Sequence, residues 1–120
     1  MSIIAKVFVA LVALEHLYIM VLEMFLWTTP RATRVFRTDP AFARSTAAMA
    51  ANQGLYNGFL AAGLVWSLLA REPVAFEAKV FFLGCVVVAG VYGAATVNRR
   101  ILLMQALPAA IGLGLVLAAR

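Results

Sequence analysis

Charge is scarce in this chain. Asp and Glu total five and Lys and Arg ten, so charged residues make up 12% of 120. A soluble domain carries about 25%. There is one cysteine, Cys85. No intrachain disulfide can form, and cysteine usage carries no redox-compartment signal. With one histidine in the chain, His16, no zinc or iron–sulfur spacing exists. The chain also has no internal repeat, linker, low-complexity segment or phosphate-cradling glycine loop.

What fills the chain instead is apolar. Hydrophobic residues make up 65% of it. A soluble fold of this size could not hide so much apolar surface, so lipid is the natural solvent. The net charge of +5 does not point to nucleic acid. A phosphate-tracking surface needs far more exposed basic and aromatic residues. In a membrane protein, basic residues mark cytoplasmic loops and contacts with anionic headgroups.

Four apolar stretches cover residues 3–27, 46–70, 76–97 and 101–119. Each has about the 20 residues that span a hydrocarbon core. Only a helix satisfies its own backbone in lipid, and the alternating ten-residue pattern of a barrel is missing. The first stretch carries Glu15, His16 and Glu23 and lacks a signal-peptide cleavage pattern, so it reads as a retained helix. The expected fold is all-α: a four-transmembrane-helix antiparallel bundle forming a single membrane domain over residues 1–120.

The loops fix the connections. Residues 28–45 hold Arg31, Arg34, Arg37 and Arg44. Pro30 is expected to end the first helix. Asp39-Pro40 is a start signal, with Asp as N-cap and Pro at N1, so the second helix is expected to begin near Pro40. The second loop contains Pro73, and the third turns at Asn98, Arg99 and Arg100. Loops this short make neighbouring helices antiparallel. The first and third loops hold six Lys/Arg, and the other side holds Lys6, Arg71, Lys79 and Arg120. That balance makes the first side cytoplasmic and puts both termini outside. A multi-pass location in the cytoplasmic membrane is expected.

The polar residues inside these stretches are the candidate site. An ionisable residue near the bilayer centre costs about 2.5–3.5 kcal/mol on insertion scales. On a wheel of about 100° per residue, Glu15, Glu23 and His16 share an arc of about 100°. The second helix carries Asn52, Gln53, Tyr56 and Asn57 within an arc of about 140°. Tyr92 and Thr96 share a face of the third helix. The fourth helix offers Gln105, and Pro108 frees a carbonyl near Met104. At about 1.5 Å per residue, Glu15, His16 and Asn57 fall near mid-helix. Glu23, Asn52, Gln53, Tyr92, Thr96 and Gln105 lie about 7–14 Å toward the first and third loops. A ligand-binding, proton-linked pocket is therefore expected in that half.

A plainer role competes with this one. Buried Asn, Gln, Tyr and Thr often serve only as interhelical hydrogen bonds, worth about 1 kcal/mol or less. That reading is the stronger for Asn52, Thr96 or Gln105 taken singly. Three ionisable groups exceed what helix locking needs, which favours function for Glu15, His16 and Glu23. No metal site is expected, because Glu15 and His16 are adjacent, no Glu-x-x-His motif exists, and Glu72 and Glu77 lie at the other end. No cofactor is expected. Cys85 sits among valines and reads as an inert thiol. Gly54-x-x-x-Gly58 reads as close packing within the chain rather than a dimer seam. Trp27 and Trp66 fit interfacial anchors.

Four runs carry a family resemblance: Leu14-Glu15-His16-Leu17-Tyr18, Leu22-Glu23-Met24-Phe25-Leu26-Trp27, Ala51-Asn52-Gln53-Gly54-Leu55-Tyr56-Asn57-Gly58 and Val91-Tyr92-Gly93-Ala94-Ala95-Thr96. They resemble the bacterial DUF1304 family of small four-helix membrane proteins. The resemblance covers nearly the whole chain, and the Asn-Gln-Gly-Leu-Tyr-Asn-Gly run is its most specific part. It implies the fold and a membrane location. It supplies no activity and no catalytic residues.

Three functions compete. A proton-coupled transporter would bind a proton or a cation-bearing solute at Glu15 or Glu23 with His16, and would be expected as a homodimer. A membrane enzyme would use His16 and a carboxylate as acid and base on a lipophilic substrate, oriented by Asn52, Gln53 and Asn57. A non-catalytic subunit or sensor would use the polar residues to fix packing. The bilayer and a small or lipophilic ligand are the expected partners, with no nucleic acid.

Overall fold

Proline and threonine set the breaks in this chain, and not always where the sequence suggests. In the computed structural model, which describes residues 2–119, α1 spans Ile3–Phe25, α2 Pro30–Phe36, α3 Pro40–Ser45, α4 Ala47–Leu69, α5 Val74–Thr96 and α6 Leu107–Ala118. A π-helical turn over Leu102–Ala106 leads into α6. The described residues contain no strand.

Two helices, α1 and α5, are long and apolar enough to cross a membrane. Only 28% of the apolar window of α1 and 33% of that of α5 are buried within the protein, so most of their apolar surface faces outward. The helix α4 is also 23 residues long. Asn52, Gln53, Tyr56 and Asn57 in its first half keep it from the same hydropathy. The apolar stretch Leu102–Ala118 is shorter.

The first loop departs most from expectation. Pro30 does not end α1, which has already stopped at Phe25. The Thr29 hydroxyl donates to the Leu26 carbonyl at 2.6 Å and turns the chain there. Pro30 instead opens α2 at its first turn, with Thr29 as N-cap, the position where a missing N–H costs nothing. Asp39 does cap a helix, its carboxylate accepting from the Ala41 and Phe42 amides. That helix is the six-residue α3, however, and not the start of α4. Thr46 separates the two, with its hydroxyl donating to the Phe42 carbonyl at 2.7 Å. Such local side-chain bonds compete with helix continuation.

The last stretch also differs from a plain helix. Pro108 has no N–H, and its ring crowds the carbonyl four residues back. The chain widens just before it, and the Leu107 amide bonds to the Leu102 carbonyl in the π pattern. The remaining helix ends fall within about two residues of expectation, the ordinary uncertainty of helix termini.

The chain forms two compact units. One comprises Met1–Leu14 and Leu60–Arg120, the other Glu15–Phe59. The first is built on Ala5, Val9, Val12 and Ala13 of α1, Leu64 of α4, Leu83 and Val86 of α5, and Ala109 and Val116 of α6. The α1 residues recur at the spacing of one helix face. Gly90 lets α5 approach the turn before α6, since a Cβ there would come within 2.6 Å of the Ala106 Cβ. In the second unit, α1 and α4 run side by side with α2 and α3 between them in sequence. Trp27 ties that intervening segment: its indole N–H donates to the Thr46 hydroxyl at 3.1 Å, and its ring packs 5.0 Å from Phe36.

Candidate functional site

The site is built where α1 meets α4 within the Glu15–Phe59 unit. Two glycines make that approach close. A Cβ on Gly54 would come within 2.6 Å of Met24 Cγ, 3.0 Å of Glu23 Cβ and 3.1 Å of the Met20 carbonyl. A Cβ on Gly58 would meet Met20 Sδ at 2.8 Å. The Gly54-x-x-x-Gly58 pair thus packs against the chain's own first helix. Gly54 lies level with Met24 and Gly58 with Met20, so the helices run antiparallel.

At this contact the Asn57 amide donates to Glu23 Oε1 at 2.6 Å. The same amide donates to the Gln53 carbonyl at 3.2 Å, so both of its N–H groups are used. The bond also corrects the expected depths. Counting along each helix placed Asn57 at the centre and Glu23 well toward the loops. The two are at one level, because α1 and α4 are staggered and the first turns of α4 run past the end of α1.

The second pair lies within two residues of the middle of α1. His16 is wholly buried. Its Nδ1 stands 3.8 Å from Glu15 Oε1, an ion-pair distance but too long for a hydrogen bond. Glu15 Oε1 is buried and accepts no hydrogen bond among the described residues. An unsatisfied buried carboxylate oxygen is costly, and a proton or a cation would satisfy it.

Other expected site residues are placed differently. Asn52, Gln53 and Tyr56 are exposed on α4. Tyr92 and Thr96 are exposed on α5, and the Thr96 hydroxyl donates back to the Tyr92 carbonyl at 2.7 Å. Gln105 is half-buried in the π-helical turn. Tyr92, Thr96 and Gln105 belong to the first unit. Glu23 with Asn57 and Glu15 with His16 are the pairs brought together. No group of three or more His, Cys, Asp or Glu able to hold a metal occurs among the described residues.

Two features escaped the sequence reading. Lys79 was counted with the basic residues at a helix end, yet it is only 2% exposed. Its ammonium donates to the Ser67 carbonyl at 2.5 Å and reaches the Ala75 carbonyl at 3.5 Å. The last turn of α4 contains no basic residue. Its final carbonyls need a donor, and a lysine one turn into the next helix can reach them. That need was the available signal. The second is Tyr18, whose hydroxyl accepts from Arg31 Nη1 at 3.0 Å. Nothing in the spacing of those two residues announces the contact.

The fold defines an all-α protein with two helices long and apolar enough to cross a membrane, the first carrying ionisable groups at its centre. The chain belongs to the DUF1304 family, described as proteins of unknown function, whose family model matches residues 10–117. It is similar to the uncharacterized protein YpaA of Lactococcus lactis subsp. lactis (strain IL1403), at 32% identity over 107 residues, 88% of this chain and 89% of that one. No solved structure matches.

Proposed function

We propose that this is a multi-pass protein of the bacterial inner membrane, a single domain of four crossing helices, that binds a small or amphipathic ligand in proton-linked transport. The outward apolar surface of α1 and α5 supports the membrane setting, since the core helix of a soluble protein would be mostly buried. Residues 47–69 and 102–118 supply the other two crossings. The Arg-bearing first and third loops lie in the cytoplasm, and the termini lie outside.

One observation carries the transport reading. Glu15 Oε1 is buried at the middle of α1 without a hydrogen-bond donor, beside His16. A carboxyl and an imidazole in that position form a proton or cation site. Glu23, held by Asn57, is the second carboxyl on the same arc of α1. Gln53 and Asn57, with Asn52 and Tyr56, supply polar groups for a solute along α4. Four helices are too few to surround a wide path, so a homodimer completes it.

The test uses the full chain in proteoliposomes on a solid-supported membrane. A pH step is applied with and without a panel of amine and quaternary ammonium solutes. Wild type gives a solute-dependent current, and Glu15→Gln abolishes it while circular dichroism stays unchanged. Absence of current across the panel refutes transport. The buried His16 next to Glu15 also suits acid–base chemistry on a lipophile. Copurification of a sterol, quinone or isoprenoid, identified by mass spectrometry, with no current, would favour that enzyme.

A further inference from the structure

We infer that residues 27–46 form a binding site for anionic phospholipid headgroups, built from Arg31, Arg34, Arg37 and Arg44. This rests on the membrane setting proposed above, but not on transport. All four arginines are exposed. None is paired with a carboxylate among the described residues. The sole acid in the segment is Asp39, and its carboxylate is occupied by the Ala41 and Phe42 amides. Four positive charges against one negative therefore leave the segment at +3, with no ion pair within it among the described residues.

The segment is also held in shape. Trp27 and Thr46 close it end to end, and Phe36 packs on the Trp27 ring. Each short helix seats through one wholly buried alanine, Ala32 in α2 and Ala43 in α3. Arg31 and Arg34, three apart, share a face of α2. Arg37 sits in the left-handed region at φ 54°, where it ends α2 and turns the chain toward Asp39. The Arg31 guanidinium is steadied by Tyr18. Planar guanidinium groups bind phosphate oxygens two at a time.

The occupant is a lipid rather than a soluble phosphate. Phe42 is 53% exposed on α3 among these arginines. An exposed ring beside phosphate-binding groups matches the boundary between headgroup and acyl chain. The segment leaves α1 and enters α4, so it lies at the end of two helices where that boundary falls. A basic residue near an anionic membrane surface is worth about 1 kcal/mol, or about fivefold in affinity.

The test places the full chain in phosphatidylcholine nanodiscs with trace spin-labelled phosphatidylglycerol or spin-labelled phosphatidylcholine. Electron paramagnetic resonance then reads the fraction of each held at the protein. We expect phosphatidylglycerol to be preferred by about fivefold or more in wild type. The preference should fall toward one in the R31Q/R34Q/R37Q/R44Q variant. Discs expose both faces, so an inverted insertion cannot imitate a lost site. Equal association of the two lipids in wild type overturns the inference without reference to any variant. So does an unchanged preference in the variant. Displacement of the labelled lipid by soluble glycerol phosphate as effectively as by unlabelled phosphatidylglycerol would also overturn it, since the site would then serve a free anion. A chain that stays in the aqueous fraction without detergent would overturn the membrane setting itself. Failure of transport alone would leave the lipid preference standing.

Discussion

Gly54→Ala should loosen the α1–α4 contact, whereas Gly114→Ala should not. At Gly54 the new Cβ meets Met24 Cγ at 2.6 Å, Glu23 Cβ at 3.0 Å and the Met20 carbonyl at 3.1 Å. The last two belong to, or lie next to, the α1 backbone and cannot swing aside. The whole helix must retreat by a few tenths of an ångström. Overpacking of this kind costs about 1–3 kcal/mol. Replacing a mid-helix glycine by alanine returns about 1 kcal/mol of helix propensity. The net is a loss of about 0–2 kcal/mol. At Gly114 nothing lies within 4 Å. Only the propensity gain remains there, so that variant should be more stable than wild type by about 0.5–1 kcal/mol. The comparison cancels errors common to both sites. Reversible unfolding of the purified chain in mixed micelles, followed by circular dichroism, gives both numbers. If Gly54→Ala proves as stable as Gly114→Ala, the close approach of α1 and α4 is wrong, and the Glu23–Asn57 pairing loses its support.

Two further outcomes follow from single contacts. Lys79→Met conserves volume but removes the charge-assisted donor to the Ser67 carbonyl, which should cost about 1.5–3 kcal/mol in the same assay. Equal or greater stability would mean that burying the ammonium costs as much as its bonds return. For the site pair, a double-mutant cycle of Glu23→Leu and Asn57→Leu should give a coupling of about 0.5–3 kcal/mol. A coupling indistinguishable from zero would show that the two side chains do not interact.

The class of fold was readable because apolar length is a strong signal. All three 23-residue helices fall where the apolar runs predict, and the Asp39 cap is where Asp-Pro places it. The breaks were less legible. Thr29 and Thr46 interrupt the helices through bonds from their hydroxyls, and threonine also occurs inside helices, as Thr96 does in α5, so composition alone does not mark them. The π-helical turn has a cause in the sequence, Pro108, but proline can also be met by a kink. For the site, the helical wheel gathers Glu15, His16 and Glu23 onto one arc of about 100°. It could not pair Glu23 with Asn57, because residue counting along each helix carries no information about stagger. Lys79 was missed for a related reason. A charged residue near a helix end looks solvated until the carbonyls of the neighbouring helix are counted.

The stagger also bears on why α4 looks too polar to cross a membrane. Gly54 lies level with Met24, next to the last residue of α1, so the first two turns of α4 extend past the end of α1. Asn52 and Gln53 occupy those turns and are exposed. On the proposed membrane setting, this part of α4 lies beside the Arg-bearing segment at the headgroup level. Polar side chains find water and headgroup partners there, which they would lack in hydrocarbon. Asn57 is the last of these polar residues along α4, and its amide is bonded to Glu23 and Gln53. From Gly58 to Leu69, α4 carries only small and apolar residues apart from Trp66 and Ser67, and Ser67 is bonded to its own helix. The hydropathy of α4 is therefore that of two parts, a polar first half and an apolar second half. Averaging across them hides the second. Glu15 lies eight residues, about 12 Å, deeper along α1 than Glu23. The two carboxyls thus stand at different levels of α1, Glu23 held by the Asn57 amide and Glu15 with one oxygen that accepts no hydrogen bond among the described residues. On the proposed transport, this is the order in which a proton or cation entering from the arginine side would meet them.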